Sequence, residues 1–137
     1  MDAIDDEQLR LLIQKVARRI RNNRAGDDLS DSQLAVLFQL EKGNHSPSAL
    51  AAQERVTPPS MNRTLNGLEK DGLIARTPSP DDARKVRVDL TAAGEAKIAA
   101  TRALRSAWFA DQLAALSPDE RAALEAATPV LRKLAEQ

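Results

Sequence analysis

The chain has 137 residues, enough for one domain with a real core that buries roughly two-thirds of the surface exposed by the unfolded form. Lys plus Arg and Asp plus Glu number 20 each, so the formal charge is zero; this excludes a polybasic tail or an acidic solvating segment, and any electrostatic partner must meet a local patch. The absence of cysteine and the presence of one histidine, His45, exclude disulfides, thiolate chemistry, thiol redox sensing and a histidine-based metal centre, so neither a metal nor a cofactor is expected.

Leu9, Leu12, Ile13, Val16 and Ile20 recur at helical spacing, with arginines mostly between them, and predict an amphipathic helix over residues 6–23. Gly26-Asp27-Asp28 breaks it. Ser30-Asp31-Ser32-Gln33 has the S-x-x-Q form that opens a helix, here running to about Glu41 with Leu34, Leu37, Phe38 and Leu40 inward. His45 falls in the loop that follows and reads as a surface residue. Ser46-Pro47 and Thr57-Pro58 each pair a capping hydroxyl with proline at the first helical position, giving helices over 47–53 and 58–71. The second buries Met61, Leu65 and Leu68 and ends at Gly72, which supplies a left-handed residue. Residues 73–76 and 85–90 read as two strands of a hairpin, joined by a loop too long for a tight turn and therefore protruding. Beyond it, alanine-rich helices are predicted over 92–115 and 118–135, the latter opened by the capping box Ser117-Pro118-Asp119-Glu120 and kinked at Pro129. No apolar run approaches the roughly 18 residues of a membrane span, and the opening residues are acidic where a signal peptide is basic. The expectation is a cytoplasmic protein with no membrane partner.

A short helix, a tight turn, a second helix and a hairpin make a winged helix-turn-helix, which places its second helix in the major groove of double-stranded DNA. Charge agrees with this order. Residues 55–87 hold seven basic and four acidic side chains, a net +3, whereas 1–54 and 88–137 are net −2 and −1. The exposed side of the second helix carries Pro59, Ser60, Asn62, Arg63, Thr64 and Asn66. Arg and Asn read base edges bidentately, and Ser and Thr hydroxyls bond phosphate. Pro58 and Pro59 lack N–H groups, so an anion at this helix start must be met by the Ser60 amide and the Thr57 and Ser60 hydroxyls. At the hairpin tip, Asp82 is placed to hold the Arg84 guanidinium extended toward a minor groove. With Arg76 and Lys85, these residues form the expected DNA-binding set. On the helix alone, a plain solvent-facing polar surface fits equally well; at the tip, an ordinary turn with a surface ion pair is the competing reading.

Taken together, Leu29-Ser30-Asp31-Ser32-Gln33, Val36-Leu37, Leu50-Ala51, Met61-Asn62-Arg63, Leu68-Glu69-Lys70-Asp71-Gly72-Leu73-Ile74-Ala75-Arg76, Asp82-Ala83-Arg84 and Leu90-Thr91-Ala92-Ala93-Gly94 resemble the MarR family of bacterial transcriptional regulators. The resemblance covers essentially the whole chain. It implies a mainly α fold with a small β-hairpin, in which residues 29–91 form the winged helix-turn-helix and residues 1–28 and 92–137 form helical dimerisation regions. It also implies a homodimer on a pseudo-palindromic operator, usually repressing nearby genes, with Arg63 on the recognition helix and Asp82 and Arg84 on the wing. A small aromatic or phenolic effector is compatible with the family. Two departures stand out: Pro58-Pro59 stiffens the recognition-helix start, and the lack of cysteine removes the thiol-oxidation switch used by some members.

Dimerisation also follows from packing, because a winged domain of about 60 residues cannot cover all the terminal helices. Leu9, Leu12, Val16, Trp108, Leu113, Leu124, Leu131 and Leu134 are the expected interface. Trp108-Phe109 fits either an interface anchor or the wall of an effector pocket. Two other classes compete. An enzyme needs a nucleophile–base pair or paired carboxylates in a cleft, and the acidic residues instead fall on helix starts, turns and helix faces. A winged-helix adaptor that binds protein rather than DNA is compatible with the neutral charge and would show no salt-dependent binding of duplex DNA.

Overall fold

The computed structural model describes residues 4–23 and 29–136, so the predicted break at residues 26–28 lies outside the described residues. In chain order the elements are α1 (Asp6–Arg21), α2 (Asp31–Glu41), α3 (Pro47–Glu54), α4 (Pro58–Lys70), β1 (Ile74–Pro78), β2 (Val86–Leu90), α5 (Ala92–Ala114) and α6 (Pro118–Ala135).

Side-chain caps set most helix starts. Ser30 and Gln33 bond each other's backbone N–H at 3.1 and 2.9 Å, and Ser117 and Glu120 do the same at 3.1 and 2.9 Å. Ser46 accepts from the Ala49 amide at 3.4 Å and Thr57 from the Ser60 amide at 3.2 Å, each in front of a proline that has no N–H to satisfy. Each such cap is worth about 1 kcal/mol of helix stability. Gly72, at φ +74°, turns the chain out of α4 as its missing Cβ allows. α6 continues unbroken through Pro129.

Among the described residues, the buried apolar side chains all lie between Leu29 and Ile98. Leu34, Val36, Leu37 and Leu40 of α2 pack with Leu50 and Ala51 of α3, Met61, Leu65 and Leu68 of α4, Ile74 and Val88 of the hairpin, and Ile98 of α5. Phe38, expected inward, is only partly buried and lies under the Arg102 guanidinium, 5.7 Å from its ring centroid; Val36 takes the buried place instead.

The hairpin pairs antiparallel from Ile74↔Leu90 to Pro78↔Val86. Its first strand is longer than the sequence predicts, because Thr77 and Pro78 still face Arg87 and Val86. Proline is tolerated at the end of an edge strand, where no ladder N–H is required of it. The outer edge of β2 is covered by the α2–α3 loop: the Val88 N–H donates to the His45 carbonyl at 2.9 Å, and the His45 ring Nδ1 lies 2.8 Å from the Val88 carbonyl oxygen. His45 is therefore a half-buried, hydrogen-bonded loop residue rather than a surface one, since closing this edge requires its backbone and its ring.

α5 is seated on the start of the wing. The Thr91 hydroxyl donates to the Gly72 carbonyl at 2.6 Å and accepts from the Gly94 amide at 3.1 Å, while the Thr91 N–H donates to the Leu73 carbonyl at 3.1 Å. Gly94 is buried there, and a Cβ on it would stand 2.2 Å from the Leu73 carbonyl oxygen. Only glycine permits that approach.

The chain divides into two compact units, one holding α1, the part of α5 from Ala103 onward and α6, the other ending at Arg102. The division falls inside α5 rather than at its start, because Gly94, Ile98 and Thr101 are buried. In the terminal unit, by contrast, α1 and α6 contain no buried residue.

Candidate nucleic-acid interface

α3 and α4 are joined by Arg55, Val56 and Thr57, with Arg55 in the left-handed region at φ 56°, a conformation that costs a non-glycine residue strain but makes the turn tight. With Met61, Leu65 and Leu68 inward, helical spacing at 100° per residue puts Pro59, Arg63, Asn66 and Lys70 farthest from the core. Pro59, Asn62, Arg63 and Asn66 are exposed, whereas Ser60 and Thr64 lie half-buried on the flank away from the wing. The Thr64 hydroxyl donates to the Ser60 carbonyl at 3.3 Å, and the Ser60 amide is committed to the exposed Thr57 hydroxyl. Of the three donors expected to meet an anion at this helix start, the amide is thus occupied and the two hydroxyls remain.

Arg63 pairs with no other described residue, leaving its guanidinium for an outside partner. Arg76 is the opposite case. Although grouped by sequence with the DNA contacts, its side chain is only 22% exposed and is bound to Glu69 and to Asn62 and Asn66 of α4. Hydrogen bonds from Arg76 hold the Glu69 carboxyl below the ordinary glutamate range.

At the wing tip, Asp82 and Arg84 meet as expected. The Asp82 carboxylate accepts from Arg84 Nε and Nη2, each at 3.1 Å, and from the Arg84 backbone N–H at 3.0 Å. These bonds lower the Asp82 pKa, first through the side-chain contact and then through the backbone one. The Arg84 side chain nevertheless stays 91% exposed while Asp82 is 27% exposed, so the pair is a braced cation standing off the hairpin rather than a mutually shielding couple. Lys85 is exposed beside it, its N–H closing the tip onto the Asp82 carbonyl at 2.9 Å.

The expected interface residues are spread over the terminal unit. Leu9, Leu12, Val16, Leu124, Leu131 and Leu134 are all exposed, and Trp108 and Leu113 are half-buried. The Arg19 guanidinium sits 5.1 Å from the Trp108 ring centroid, and Phe109 stacks 6.5 Å away.

Sequence reasoning quoted Glu69, Thr91 and Gly94 only as parts of motifs and gave none of them a contact. Glu69 was findable: it stands seven residues before Arg76 across a glycine turn, a spacing that brings the last turn of a helix alongside the first strand. No helix among the described residues is long and apolar enough to cross a membrane, and no cluster of three His, Asp or Glu side chains among them is placed to hold a metal.

Comparison with known proteins agrees with this geometry. The model of the MarR family matches residues 29–86. An HTH-type transcriptional regulator of Mycobacterium tuberculosis is 35% identical over 137 residues, covering 99% of this chain and 96% of the relative. The HTH-type transcriptional repressor MdtR of Bacillus subtilis is 31% identical over 113 residues, 82% of this chain and 73% of its own. In three dimensions the chain is similar to the crystal structure of a Pseudomonas aeruginosa protein assigned as a transcriptional regulator, with a TM-score of 0.82, 34% identity and coverage of 96% and 93% of the two chains. A winged helix-turn-helix with these relatives places the chain in the MarR family of transcriptional regulators, which are DNA-binding proteins and not enzymes.

Proposed function

We propose that this protein is a homodimeric repressor that binds a pseudo-palindromic operator, with the two copies of α4 in successive major grooves and the two Arg84 side chains in the flanking minor grooves. In this reading residues 29–91 bind DNA, and residues 1–28 and 92–137 mediate dimerisation. The observation that supports it most is the pairing of Arg63, which has no partner among the described residues and lies on the outward side of α4, with a braced, almost fully exposed Arg84 at the wing tip. Two cations presented on one winged unit of a neutral chain match alternating grooves of a duplex better than a general solvent face. Dimerisation is supported by α1 and α6, which expose Leu9, Leu12, Val16, Leu124, Leu131 and Leu134 and bury nothing. Repression is supported by the similarity to MdtR. The family resemblance adds a small aromatic or phenolic effector, which must bind the free and DNA-bound dimers with different affinity to act at all.

Selection of bound fragments from genomic DNA, followed by titration at several salt concentrations, tests this reading. The expected result is an enriched inverted repeat, bound with affinity that falls steeply as salt rises. No enrichment, together with no salt-dependent binding of any duplex, would make the chain a protein adaptor instead.

A further inference from the structure

Arg76 reaches from β1 to α4 and spends four of its five N–H donors there. Nε donates to Glu69 Oε2 at 3.3 Å, Nη2 to Glu69 Oε1 at 3.0 Å and to Asn66 Oδ1 at 2.6 Å, and Nη1 to Asn62 Oδ1 at 3.1 Å. A guanidinium has no acceptor, so the amide atom that faces it must be the oxygen. Each asparagine is thereby left with its NH2 group as the free end, and both residues are exposed, one turn apart on the same side of the helix.

We infer that Arg76 is a specificity-determining positioning residue: by holding the amide oxygens of Asn62 and Asn66 on its guanidinium, it fixes both side chains with their NH2 groups as the leading ends, and α4 favours guanine or thymine where they meet the major groove. This rests on the reading of α4 as the base-reading helix. An unrestrained asparagine favours adenine, because its oxygen accepts from N6–H while its NH2 donates to N7. Here one of the two lone pairs of each oxygen is taken and the oxygen is fixed on the guanidinium, no longer free to align with N6–H, and that bidentate contact is weakened. Guanine offers O6 and N7 and thymine offers O4, all acceptors, whereas cytosine presents only its N4 donor. Arg76 has a second effect at the same place, since it neutralises Glu69, which follows Asn62 and Asn66 on that side of α4 and would otherwise repel phosphate.

The test has two arms. On the free full-length protein, 15N relaxation of the side-chain NH2 groups of Asn62 and Asn66 is measured for the parent and for Arg76→Ala. The expected order parameters are near those of rigid backbone in the parent and below about 0.6 in the variant. In the second arm, duplexes are selected from a randomised library by the parent, Asn62→Ala, Asn66→Ala and Arg76→Ala. At the positions where the asparagine variants lose discrimination, the parent is expected to hold guanine or thymine and to bind the adenine substitution on the order of tenfold more weakly. Arg76→Ala should bring that ratio to within about twofold. Mobile amides in the parent, adenine fixed by the parent at those positions, or an unchanged preference in Arg76→Ala would each overturn the inference. The parent's amide dynamics and base preference decide it even where Arg76→Ala fails to fold. Rigid amides with no sequence selected by the parent would instead overturn the reading of α4 as a base-reading helix, and this inference with it.

Discussion

Gly94→Ala asks whether the tight seating of α5 against Leu73 fixes the root of the wing. The added Cβ would stand 2.2 Å from the Leu73 carbonyl oxygen and 3.2 Å from both the Leu73 carbonyl carbon and Leu90 Cδ2. That is about 1 Å closer than even a C–H···O contact tolerates. The atom struck is backbone, held in place by the Thr91 N–H at 3.1 Å, and it immediately precedes the first residue of β1. Overpacking of this kind costs about 1–3 kcal/mol, and a rigid obstacle puts it toward the upper end. Alanine returns at most about 1 kcal/mol through helix propensity, so the net effect is a destabilisation of about 1–2 kcal/mol. With a urea dependence of about 1–3 kcal/mol per molar, the unfolding midpoint should drop by roughly 0.5–1 M at fixed protein concentration. Gly67→Ala is the matched control. Its Cβ meets only the side-chain amide of Gln33, Nε2, at 3.0 Å, which must give by a few tenths of an ångström while its Oε1 keeps the Ser30 N–H, so helix propensity offsets the cost and the midpoint should move far less than for Gly94→Ala. A Gly94→Ala protein as stable as its parent would refute the reasoning.

Leu131→Glu places a carboxylate on an apolar face of α6 where Leu131 is 44% exposed; two symmetric copies each lose about 1 kcal/mol of burial, so the dimer dissociation constant should rise at least about 30-fold by sedimentation. An unchanged constant would remove Leu131 from the interface. Arg63→Ala should weaken operator binding by about 1–3 kcal/mol in an anisotropy titration while changing random-duplex binding much less, and equal losses on both would make Arg63 a phosphate contact. The Glu69 carboxyl is held below its ordinary 4.5 by Arg76, so its contribution to stability is present above that value and fades as pH falls through it and on through the folded-state pKa. Urea midpoints taken from pH 6 to pH 3 should therefore fall less steeply for Glu69→Gln than for the parent; parallel curves would show that the Arg76–Glu69 pair adds no pH dependence.

Local chemistry made the elements legible. Ser30-x-x-Gln33 and Ser117-x-x-Glu120 close as reciprocal caps because both partners lie within one turn, and Met61, Leu65 and Leu68 face the core because their spacing is that of one helical side. Asp82 and Arg84 were readable for the same reason, being two residues apart in a turn. What the chain order hid were contacts set by tertiary approach. His45 bonds Val88 across 43 residues, and Gly94 meets Leu73 across 21, so neither partner signals the other locally. Arg76 counts as one more positive charge in a census of residues 55–87, and only the fold shows it bonded to Glu69 and to the amide oxygens of Asn62 and Asn66 on α4.

A dimeric repressor of this kind is defined by how many chains engage a duplex and where. The full chain, mixed with a fragment enriched from genomic DNA, can be examined by sedimentation for stoichiometry and by hydroxyl-radical footprinting for position. Two chains per duplex are predicted, protecting two half-sites whose centres lie one helical turn, about 10–10.5 base pairs, apart. One chain per duplex, or a single protected patch, would contradict it.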